Sequence, residues 1–286
     1  MSETRARAPR VRVLACQLAI PQVDSAESRD AHLSKTAEKI ARALDAQPAD
    51  LVVLPELSSM SYSRHAFDRL GELAETPDGP SAEVFGALAA RYRTHVAFGI
   101  ARAGKKRVYI SHVVMGPDGR RVGFYDKLHM AQFGASMEKD YFSPGEHLLI
   151  FKVGSVTVSI VICYDFRFPD LAATLCRDHG VRLVIHPVAF WRDGSFPSWH
   201  HLAIARAVEN QVYFLSLNRA GETYGESVWC PPWVGDGLEP ERFGTEEAFR
   251  HFIVDNGVIE RIRNEYPFAK DRLADYRGLG ANGAGG

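Results

Sequence analysis

Short apolar runs recur along most of the chain and are separated by stretches of mixed polarity. Several of these runs show little alternation between polar and apolar side chains, which is typical of strands covered on both faces. The sequence therefore predicts a series of buried strands. Their ranges are 11–20, 51–55, 95–101, 107–115, 156–163, 181–190, 211–217 and 249–255.

Helical periodicity appears between some of the predicted strands. One stripe of apolar residues has the i, i+4, i+7, i+11 spacing of a buried helix face. Its members are Leu33, Ala37, Ile40 and Leu44. Further helices are predicted over 80–92 and 198–210. Another begins at Pro169, a residue that suits the first turn of a helix, and ends before Gly180.

Two strand runs, 107–115 and 121–125, are joined by the turn Gly-Pro-Asp-Gly at 116–119. This arrangement predicts an antiparallel hairpin, because a tight turn can join antiparallel strands whereas parallel strands need a long crossover. A mixed sheet is therefore expected rather than a purely parallel one. Together with the helices, it favours a layered α/β or α+β fold.

No proline- or serine-rich linker and no internal repeat divides the chain, so a single domain is predicted over residues 10–277. Residues 1–9 and 278–286 are expected to be flexible tails, the second because it is rich in glycine. This second tail contains the Gly-x-Gly-x-x-Gly spacing of a dinucleotide site. The match is rejected, because that spacing binds a pyrophosphate only between a strand and a helix.

The 286 residues include 34 basic and 35 acidic side chains, a net charge of −1. This balance argues against a nucleic-acid-binding protein, and a hydrophobic content of 46% argues against a disordered chain. Four cysteines are too few for a disulfide scaffold of this length. No apolar run approaches the ~20 residues of a membrane helix, and no secretory signal is visible. A cytoplasmic protein with no nucleic-acid or membrane partner is expected.

Glu56, Lys127 and Cys163 each stand at the end of an apolar, strand-like run. Reacting groups often collect at such ends, because the sheet fixes them and the loops admit ligand. Taken alone, each has an ordinary interpretation. Cys163 could be a core cysteine like Cys16 and Cys176, and Glu56 could form a buried salt bridge with Lys127. Cys163 differs from those other cysteines because polar and charged residues follow it at once.

The sequence patterns of several other chemistries are missing. The chain has no CxxC pair, no HExxH motif, no G-x-S-x-G elbow and no phosphate-binding P-loop. His200 and His201 are adjacent, so they would point in different directions on a helix. Metal chemistry is therefore only weakly supported, and no metal site is expected.

An ordered set of motifs resembles the nitrilase superfamily of carbon–nitrogen hydrolases. Leu-Pro-Glu56, Tyr-Asp-Lys127-Leu-His129 and Cys163-Tyr-Asp-Phe-Arg-Phe-Pro are similar to its glutamate, lysine and cysteine signatures. The segment Glu138-Lys-Asp-Tyr-Phe-Ser-Pro-Gly is similar to the one that carries a second glutamate. The likeness covers nearly the whole chain, and the agreement of several independent motifs makes it specific.

The resemblance implies an αββα sandwich, catalysis without a cofactor, and two subunits packed face to face, so a homodimer or higher homo-oligomer is expected. It assigns Cys163 as the nucleophile, Glu56 as general base and acid, and Lys127 as the group that stabilises the oxyanion. Glu138 matches the second glutamate, which orients the lysine and the substrate amide. The backbone N–H of Tyr164 is the expected second oxyanion donor.

The residues after the nucleophile are closest to the Nit-type amidases, which include ω-amidases. Such substrates carry a carboxylate remote from the amide, and the planar fork of an arginine suits a carboxylate. Arg167 and Arg192 are candidates for that contact, although Arg167 could instead pair with Asp165 or Asp170. The expected substrate-binding residues are Tyr62, His129, Phe133, Tyr164, Arg167, Phe190 and Trp191, of which the aromatic ones could equally be packing residues.

The predicted function is hydrolysis of a small linear amide to an acid and ammonia through a thioester acyl-enzyme. The alternatives are an N-carbamoyl hydrolase, which also releases carbon dioxide, a nitrilase, and a binding scaffold on the same fold. The complete set of Glu56, Lys127 and Cys163 disfavours a scaffold, because a binding protein has no need for all three. The stretch 191–197 differs from the loop expected of ω-amidases, which leaves the acyl part of the substrate open.

Overall fold

The computed structural model describes residues 10–273, 275–276 and 279. The predicted tails, 1–9 and 278–286, lie outside the described residues except for Leu279. No helix in the part that the structure describes is long and apolar enough to cross a membrane.

Twelve strands and eight α-helices lie within the described ranges. The strands are β1 (Arg10–Gln17), β2 (Leu51–Val53), β3 (His95–Ala103), β4 (Val108–Met115), β5 (Arg121–Asp126), β6 (Ile150–Val153), β7 (Val156–Ile160), β8 (Leu183–Pro187), β9 (Tyr213–Leu217), β10 (Val228–Cys230), β11 (Glu241–Arg242) and β12 (Ala248–Asp255). The helices are α1 (Ala26–Ala46), α2 (Arg64–Phe67), α3 (Leu70–Leu73), α4 (Pro80–Tyr92), α5 (Pro169–Asp178), α6 (Trp199–Asn210), α7 (Asn256–Glu265) and α8 (Phe268–Asp271). Short 3₁₀ helices occupy Glu138–Asp140, Cys163–Arg167 and Phe196–Ser198.

The strands form two six-stranded sheets with the same plan. The first has the order β12-β1-β2-β3-β4-β5, and the second has the order β11-β10-β9-β8-β7-β6. In each sheet, three neighbouring strands are parallel, namely β1-β2-β3 and β9-β8-β7, and the outer pairings are antiparallel. The predicted hairpin is present as the antiparallel pair β4-β5. The expectation of mixed sheets is confirmed.

The two sheets pack face to face over a shared apolar core. Val13 and Val53 come from the first sheet, and Ile160, Ile185 and Leu215 come from the second, and all five are fully buried. Burying one such side chain stabilises the fold by about 1.5–3 kcal/mol. The inner faces of both sheets are therefore apolar, and polar groups found between them need a specific partner.

Helices cover the outer faces of both sheets. Helices α1 and α4 cover the first sheet, where Phe85 of α4 packs on Phe98 of β3. Helices α5 and α6 cover the second sheet, where Trp199 and Phe214 are buried in the same cluster. The layers therefore run helix, sheet, sheet, helix, which confirms the predicted αββα sandwich.

The predicted helices form with small changes at their ends. Helix α4 has the predicted bounds, and α1 begins after Ser25, whose side chain accepts a hydrogen bond from the Ser28 N–H. The predicted stripe on α1 faces the core. Of its members, the side chains fully buried are Leu33, Ile40 and Leu44, while Ala37 is half-buried.

The strands that precede the reactive residues are shorter than predicted. Strand β2 ends two residues before the predicted end, and β7 ends three residues before it. The chain turns sharply after each, because Leu57 and Cys163 have φ angles of +47° and +44°. Strands β6, β10 and β11 were absent from the sequence prediction, since runs of two to four residues carry little periodicity.

Candidate active site

Glu56 lies on a tight turn that follows β2. The turn passes so close to β3 that a Cβ on Gly99 would lie 2.4 Å from the Leu57 nitrogen. The buried Arg219 guanidinium holds the turn, because its Nη2 donates to the carbonyl oxygens of Glu56 and Leu57 at 3.0 and 2.9 Å. The Glu56 side chain is thereby fixed in the core, where its Oε2 accepts a hydrogen bond from the Ala189 N–H at 2.8 Å.

Lys127 follows β5 and is completely buried between two carboxylates. Its Nζ lies 2.9 Å from Glu56 Oε1 and 2.6 Å from Glu138 Oε1. Burial on its own would lower the pKa of Lys127, but the charges of Glu138 and Glu56 outweigh it and raise the pKa well above its ordinary value. Burial also raises the pKa of Glu138, and the charge of Lys127 opposes that rise. The lysine is therefore a fixed cation.

Two further donors hold Glu138 in place. The Tyr62 hydroxyl donates to Oε1 at 2.8 Å, and the Ala131 N–H donates to Oε2 at 2.8 Å. The sequence predicts Tyr62 as a substrate contact, whereas the structure places its hydroxyl on Glu138. The reason is that a buried hydroxyl needs a hydrogen-bond partner, and the carboxylate supplies one. Tyr62 therefore orients the second glutamate.

Cys163 lies three residues beyond β7 and begins a 3₁₀ helix. Its φ of +44° is in the left-handed region, which non-glycine residues rarely adopt. Its carbonyl oxygen accepts a hydrogen bond from His186 Nε2 at 2.9 Å. Burial raises the pKa of the Cys163 thiol well above its ordinary value, the charge of Glu56 raises it further, and Lys127 opposes both. The resting group is a neutral thiol, so attack by sulfur requires a base.

Asp165 joins the cysteine turn to the lysine segment. Its carboxylate accepts hydrogen bonds from the Tyr125 hydroxyl at 2.7 Å, from the Ile162 N–H at 3.1 Å and from the His129 N–H at 2.9 Å. His129 Nδ1 lies 2.7 Å from the same carboxylate, and the ring stacks on Phe168 with centroids 3.8 Å apart. His129 is not among the residues that line the cavity beside Cys163, and its contact with substrate stays a prediction.

A small cavity opens beside Cys163. Its lining within the described residues is Ala131, Phe133, Ser136, Cys163, Tyr164, Arg167, Ala189, Phe190, Trp191, Asp193 and Ser195. Five predicted substrate-binding residues are in this set, namely Phe133, Tyr164, Arg167, Phe190 and Trp191. Two are not, namely Tyr62 and His129.

The two arginines proposed for a carboxylate contact differ in their surroundings. Arg192 pairs with Glu226 at 2.6 Å and donates to the Tyr224 carbonyl oxygen, so it already has its acceptors. Arg167 lines the cavity, and its Nη1 makes one long hydrogen bond of 3.4 Å to Ser198. Its Nη2 is buried and has no hydrogen-bond partner among the described residues. Arg167 therefore forms neither of the carboxylate pairs that the sequence left open.

Sequence reasoning gave no role to Arg219 and only a minor one to Asp165. Both are buried charged groups that hold a reactive turn, one beneath Glu56 and the other beside Cys163. A signal for Arg219 exists in the sequence, because a basic residue stands two positions after the end of the apolar run 211–217. A charge in that position must find partners when the strand end is buried.

The site offers a protonated thiol, a carboxylate and a fixed ammonium next to an open cavity. Within residues 10–273, 275–276 and 279, no cluster of histidine, cysteine and acidic side chains has the arrangement of a metal site. A thiol, a base and a cation together can add sulfur to a carbonyl carbon and stabilise the charge that forms on oxygen.

A family model described as carbon–nitrogen hydrolase matches residues 12–236. The omega-amidase NIT3 of Saccharomyces cerevisiae is 30% identical over 292 residues, which cover 96% of this chain and 97% of that protein. The human omega-amidase NIT2 is 29% identical over 241 residues, covering 80% of this chain and 85% of that protein. A protein called nitrilase from Pyrococcus abyssi is 32% identical over 198 residues, covering 68% of this chain and 71% of that protein.

Solved structures show the same architecture. The crystal structure of Saccharomyces cerevisiae Nit3, described as a member of branch 10 of the nitrilase superfamily, aligns with a TM-score of 0.79 at 26% identity and covers 97% of this chain and 100% of its own. A carbon–nitrogen hydrolase from Helicobacter pylori aligns with a TM-score of 0.81 at 23% identity, covering 94% of this chain and 97% of its own. The Helicobacter pylori structure has the lower identity, so its similarity supports the fold only.

Proposed function

This chain belongs to the carbon–nitrogen hydrolase family within the nitrilase superfamily, and on that basis we propose that it hydrolyses a small linear amide through a thioester on Cys163. The family and the omega-amidase relatives support an enzyme of the amidase kind that acts on carbon–nitrogen bonds. One observation carries the finer proposal. The Lys127 ammonium is buried between Glu56 and Glu138, and their charges act on a thiol that opens to a cavity.

The first step is attack of sulfur on the amide carbonyl carbon. Glu56 accepts the thiol proton while the sulfur–carbon bond forms, because the raised pKa of Cys163 leaves little free thiolate at rest. The carbonyl oxygen becomes an oxyanion. Lys127 and the backbone N–H of Tyr164 stabilise it, and loss of one such donor typically costs about 10²–10³ in rate.

The second step breaks the carbon–nitrogen bond. Glu56 returns its proton to the leaving nitrogen, ammonia departs, and a thioester remains on Cys163. A water molecule then attacks the thioester while Glu56 accepts a proton from it. The acid leaves and the thiol regains its proton. One carboxylate thus serves as base, acid and base again, each role worth typically 10²–10⁴ in rate.

The cavity favours an amide that carries an acidic group. Arg167 Nη2 is a buried donor with no protein acceptor among the described residues, and a buried unpaired donor is unfavourable until a ligand pairs with it. A substrate carboxylate would supply that acceptor as a charge-assisted pair. The apolar part of the substrate would then lie against Phe133, Phe190 and Trp191.

Product analysis tests the proposed reaction. Purified enzyme is given butyramide, 5-amino-5-oxopentanoate, an N-carbamoyl amino acid and butyronitrile, and ammonia and carbon dioxide are both measured. We expect ammonia from the amides in amounts equal to the acid formed, with no carbon dioxide. Turnover of the N-carbamoyl compound alone, or of the nitrile alone, would replace the amidase proposal with the corresponding alternative. Absence of any turnover would favour a binding scaffold.

We further propose that two copies of the chain form the working unit, as the superfamily resemblance implies. Several large apolar side chains near the end of the described chain are exposed, namely Phe268, Leu273, Tyr276 and Leu279. Light scattering coupled to size-exclusion chromatography should give twice the 31.7 kDa chain mass or a multiple of it. A single peak at the mass of one chain, with full activity, would contradict this proposal.

A further inference from the structure

Two charged side chains line the cavity beside Cys163 within the described residues, and they have opposite signs. Arg167 stands four residues after the nucleophile, at the end of its 3₁₀ helix. Asp193 stands on the loop between β8 and α6, in the stretch that differs from the loop expected of ω-amidases. The hydrogen bonds of the two side chains go to other residues, Ser198 for Arg167 and Ser195 for Asp193. Each therefore faces the cavity without neutralising the other.

Both groups have unused hydrogen-bonding capacity. Arg167 Nη2 is buried with no acceptor among the described residues. Asp193 uses Oδ1 alone, which accepts from the Ser195 N–H at 2.8 Å and from the Ser195 hydroxyl at 2.7 Å. The described residues supply no donor to Oδ2. Oδ2 packs against the Gly134 backbone, where a Cβ would lie only 2.1 Å from it, so a larger residue at this position would displace the carboxylate.

Resting on the proposed amidase function, we propose that the substrate is the ω-amide of an α-amino dicarboxylic acid, which carries an ammonium and a carboxylate on the same carbon. Arg167 would pair with the carboxylate, and Asp193 would pair with the ammonium. An amide with the carboxylate alone would satisfy Arg167 but would bring its negative charge near Asp193.

The test compares two amides that differ only in the ammonium, L-glutamine and 5-amino-5-oxopentanoate. We expect the wild-type enzyme to prefer L-glutamine by at least about 10-fold in kcat/KM, since a charge-assisted hydrogen bond is worth that much discrimination. Asp193→Asn keeps an oxygen for the Ser195 bonds and removes the charge. We expect this variant to lower the preference about 10-fold, so that the two amides become similar substrates.

Ser195→Ala is the matched control, because it removes one of the hydrogen bonds that hold Asp193 without removing the charge. We expect it to retain most of the preference. A wild-type preference for 5-amino-5-oxopentanoate, or an Asp193→Asn variant that loses both activities equally, would overturn the inference while leaving the amidase function standing. Failure of every amide, butyramide included, would instead overturn the proposed function.

A second and independent inference concerns a chain of hydrogen bonds behind the nucleophile. A carbonyl oxygen only accepts, so His186 Nε2 must donate to the Cys163 oxygen at 2.9 Å. Burial lowers the pKa of His186 to about 3, so its Nδ1 carries no proton at neutral pH. Nδ1 therefore accepts from the Ser216 hydroxyl at 2.8 Å, which in turn accepts from the Trp199 indole N–H at 2.8 Å. The direction of each of these three hydrogen bonds is therefore determined.

We infer that His186 is a positioning residue for the oxyanion site. The Cys163 carbonyl and the Tyr164 N–H belong to the same peptide group, so a donor on that oxygen fixes the plane of the group. The same donor polarises the peptide and strengthens its N–H as a donor. His186 would thus hold the left-handed cysteine conformation and aim the N–H at the oxyanion, without touching the substrate.

The test uses His186→Leu and His186→Gln, because glutamine can restore an N–H donor and leucine cannot. Butyraldehyde serves as a probe of the oxyanion: sulfur adds to its carbonyl carbon, Glu56 takes the thiol proton, and nothing leaves. For His186→Leu we expect about 10-fold lower kcat and about 10-fold weaker butyraldehyde inhibition, with the KM for butyramide within about two-fold of wild type. His186→Gln should recover most of both losses.

Equal losses in both His186 variants, or a change in KM as large as the change in inhibition, would overturn this inference. Ser216→Ala removes the donor to Nδ1 but keeps the histidine, so it provides a second route if the leucine variant fails to fold. We expect Ser216→Ala to show a smaller loss in the same two quantities. Ser216→Ala could instead show wild-type kcat and wild-type butyraldehyde inhibition, with unchanged tyrosine and tryptophan fluorescence. That result would contradict the proposed role of the hydrogen bonds behind His186.

Discussion

Among the single residues of the site, Lys127 supplies the positive charge that offsets two buried carboxylates. Its ammonium lies between the Glu56 and Glu138 carboxylates, and all three side chains are fully buried. Removing one partner of a buried ion pair typically costs about 3–5 kcal/mol, because the other charge remains buried without compensation. Variants of Lys127 should therefore lose stability together with rate, which makes Cys163 the cleaner residue for testing the mechanism.

Selective alkylation of Cys163 is the first prediction. Cys163 is half-buried, whereas the other three cysteines are buried. Burial raises the pKa of all four thiols, to about 12 for Cys176 and Cys230, so accessibility rather than the fraction of thiolate distinguishes Cys163. Iodoacetamide should modify the native enzyme at Cys163 first, and faster as pH rises, because the pKa of that thiol is also raised. Peptide mapping measures this, and equal labelling of Cys230 would contradict it.

The identities of the reactive residues were predictable because each follows an apolar strand and matches a signature. The structure brings Glu56, Lys127 and Glu138 into direct contact, and their charges act on Cys163. The position of Tyr62 was not predictable, since the sequence does not show which buried oxygen its hydroxyl will meet. Contacts made by side chains from distant segments depend on the packing of the two sheets, which periodicity does not encode.

Two sharp turns at the ends of strands fix the positions of the reactive side chains. One follows β2 and holds Glu56, and the other follows β7 and holds Cys163. Each contains a non-glycine residue with positive φ, and each is held by a buried charged side chain, Arg219 for the first and Asp165 for the second. Strained backbone of this kind persists only where its surroundings fix it.

Gly99→Ala is the prediction that tests the first turn. A Cβ at Gly99 would lie 2.4 Å from the Leu57 nitrogen and 2.8 Å from the Pro55 oxygen, and backbone atoms cannot move aside cheaply. We expect a loss of about 1–3 kcal/mol in the free energy of unfolding and a fall in kcat, because the turn that carries Glu56 must shift. Urea unfolding and initial rates measure the two effects.

Gly71→Ala is the matched control for that substitution. Nothing lies within 4 Å of a Cβ at Gly71, which is in helix α3. Alanine there should leave kcat unchanged and should stabilise the fold by about 0.4–1 kcal/mol. A Gly99→Ala variant as stable and active as Gly71→Ala would show that the contact between β3 and the turn is unimportant.

The strand ends illustrate how far the sequence predicts elements. The apolar runs at 51–55 and 156–163 gave the correct strands but overran their ends by two and three residues. Leu54, Val161 and Ile162 are buried, so hydrophobicity continues after strand pairing stops. The turn that carries Glu56 depends on contacts with Gly99 and Arg219, which are distant from it in the sequence, so the apolar run alone does not mark where the strand ends.

The whole molecule places the site where its two sheets meet. Glu56 and Lys127 follow strands of the first sheet, whereas Cys163 follows a strand of the second. Assembly of the site therefore requires both halves of the sandwich and the core between them. The alternation of strands and helices predicted the layers, but the division of the strands between two sheets came only from the superfamily resemblance.

Acid sensitivity is the prediction for the whole fold. Burial lowers the pKa of His112 and of His186 to about 3, from an ordinary value of 6.5. Between these two values the unfolded chain binds more protons than the folded chain. The stability that the neutral histidines contribute is thus present above pH 6.5 and is lost as pH falls toward 3, at up to about 1.4 kcal/mol per pH unit for each group.

Urea unfolding at several pH values checks this expectation, with His112→Leu as the comparison. The variant lacks one of the histidines whose pKa burial lowers, so its free energy of unfolding should fall less steeply than that of wild type between about pH 6 and 4. Parallel curves for the two proteins would mean that His112 does not resist protonation in the folded state.

Whether Cys163 is the nucleophile is tested by the rate of ammonia release from Cys163→Ala, measured beside wild type and Cys230→Ala on the same amide. We expect a loss of at least about 10³-fold for Cys163→Ala, with an unchanged unfolding midpoint, and a near-normal rate for Cys230→Ala. A folded Cys163→Ala enzyme that keeps more than about one tenth of the wild-type rate would contradict it.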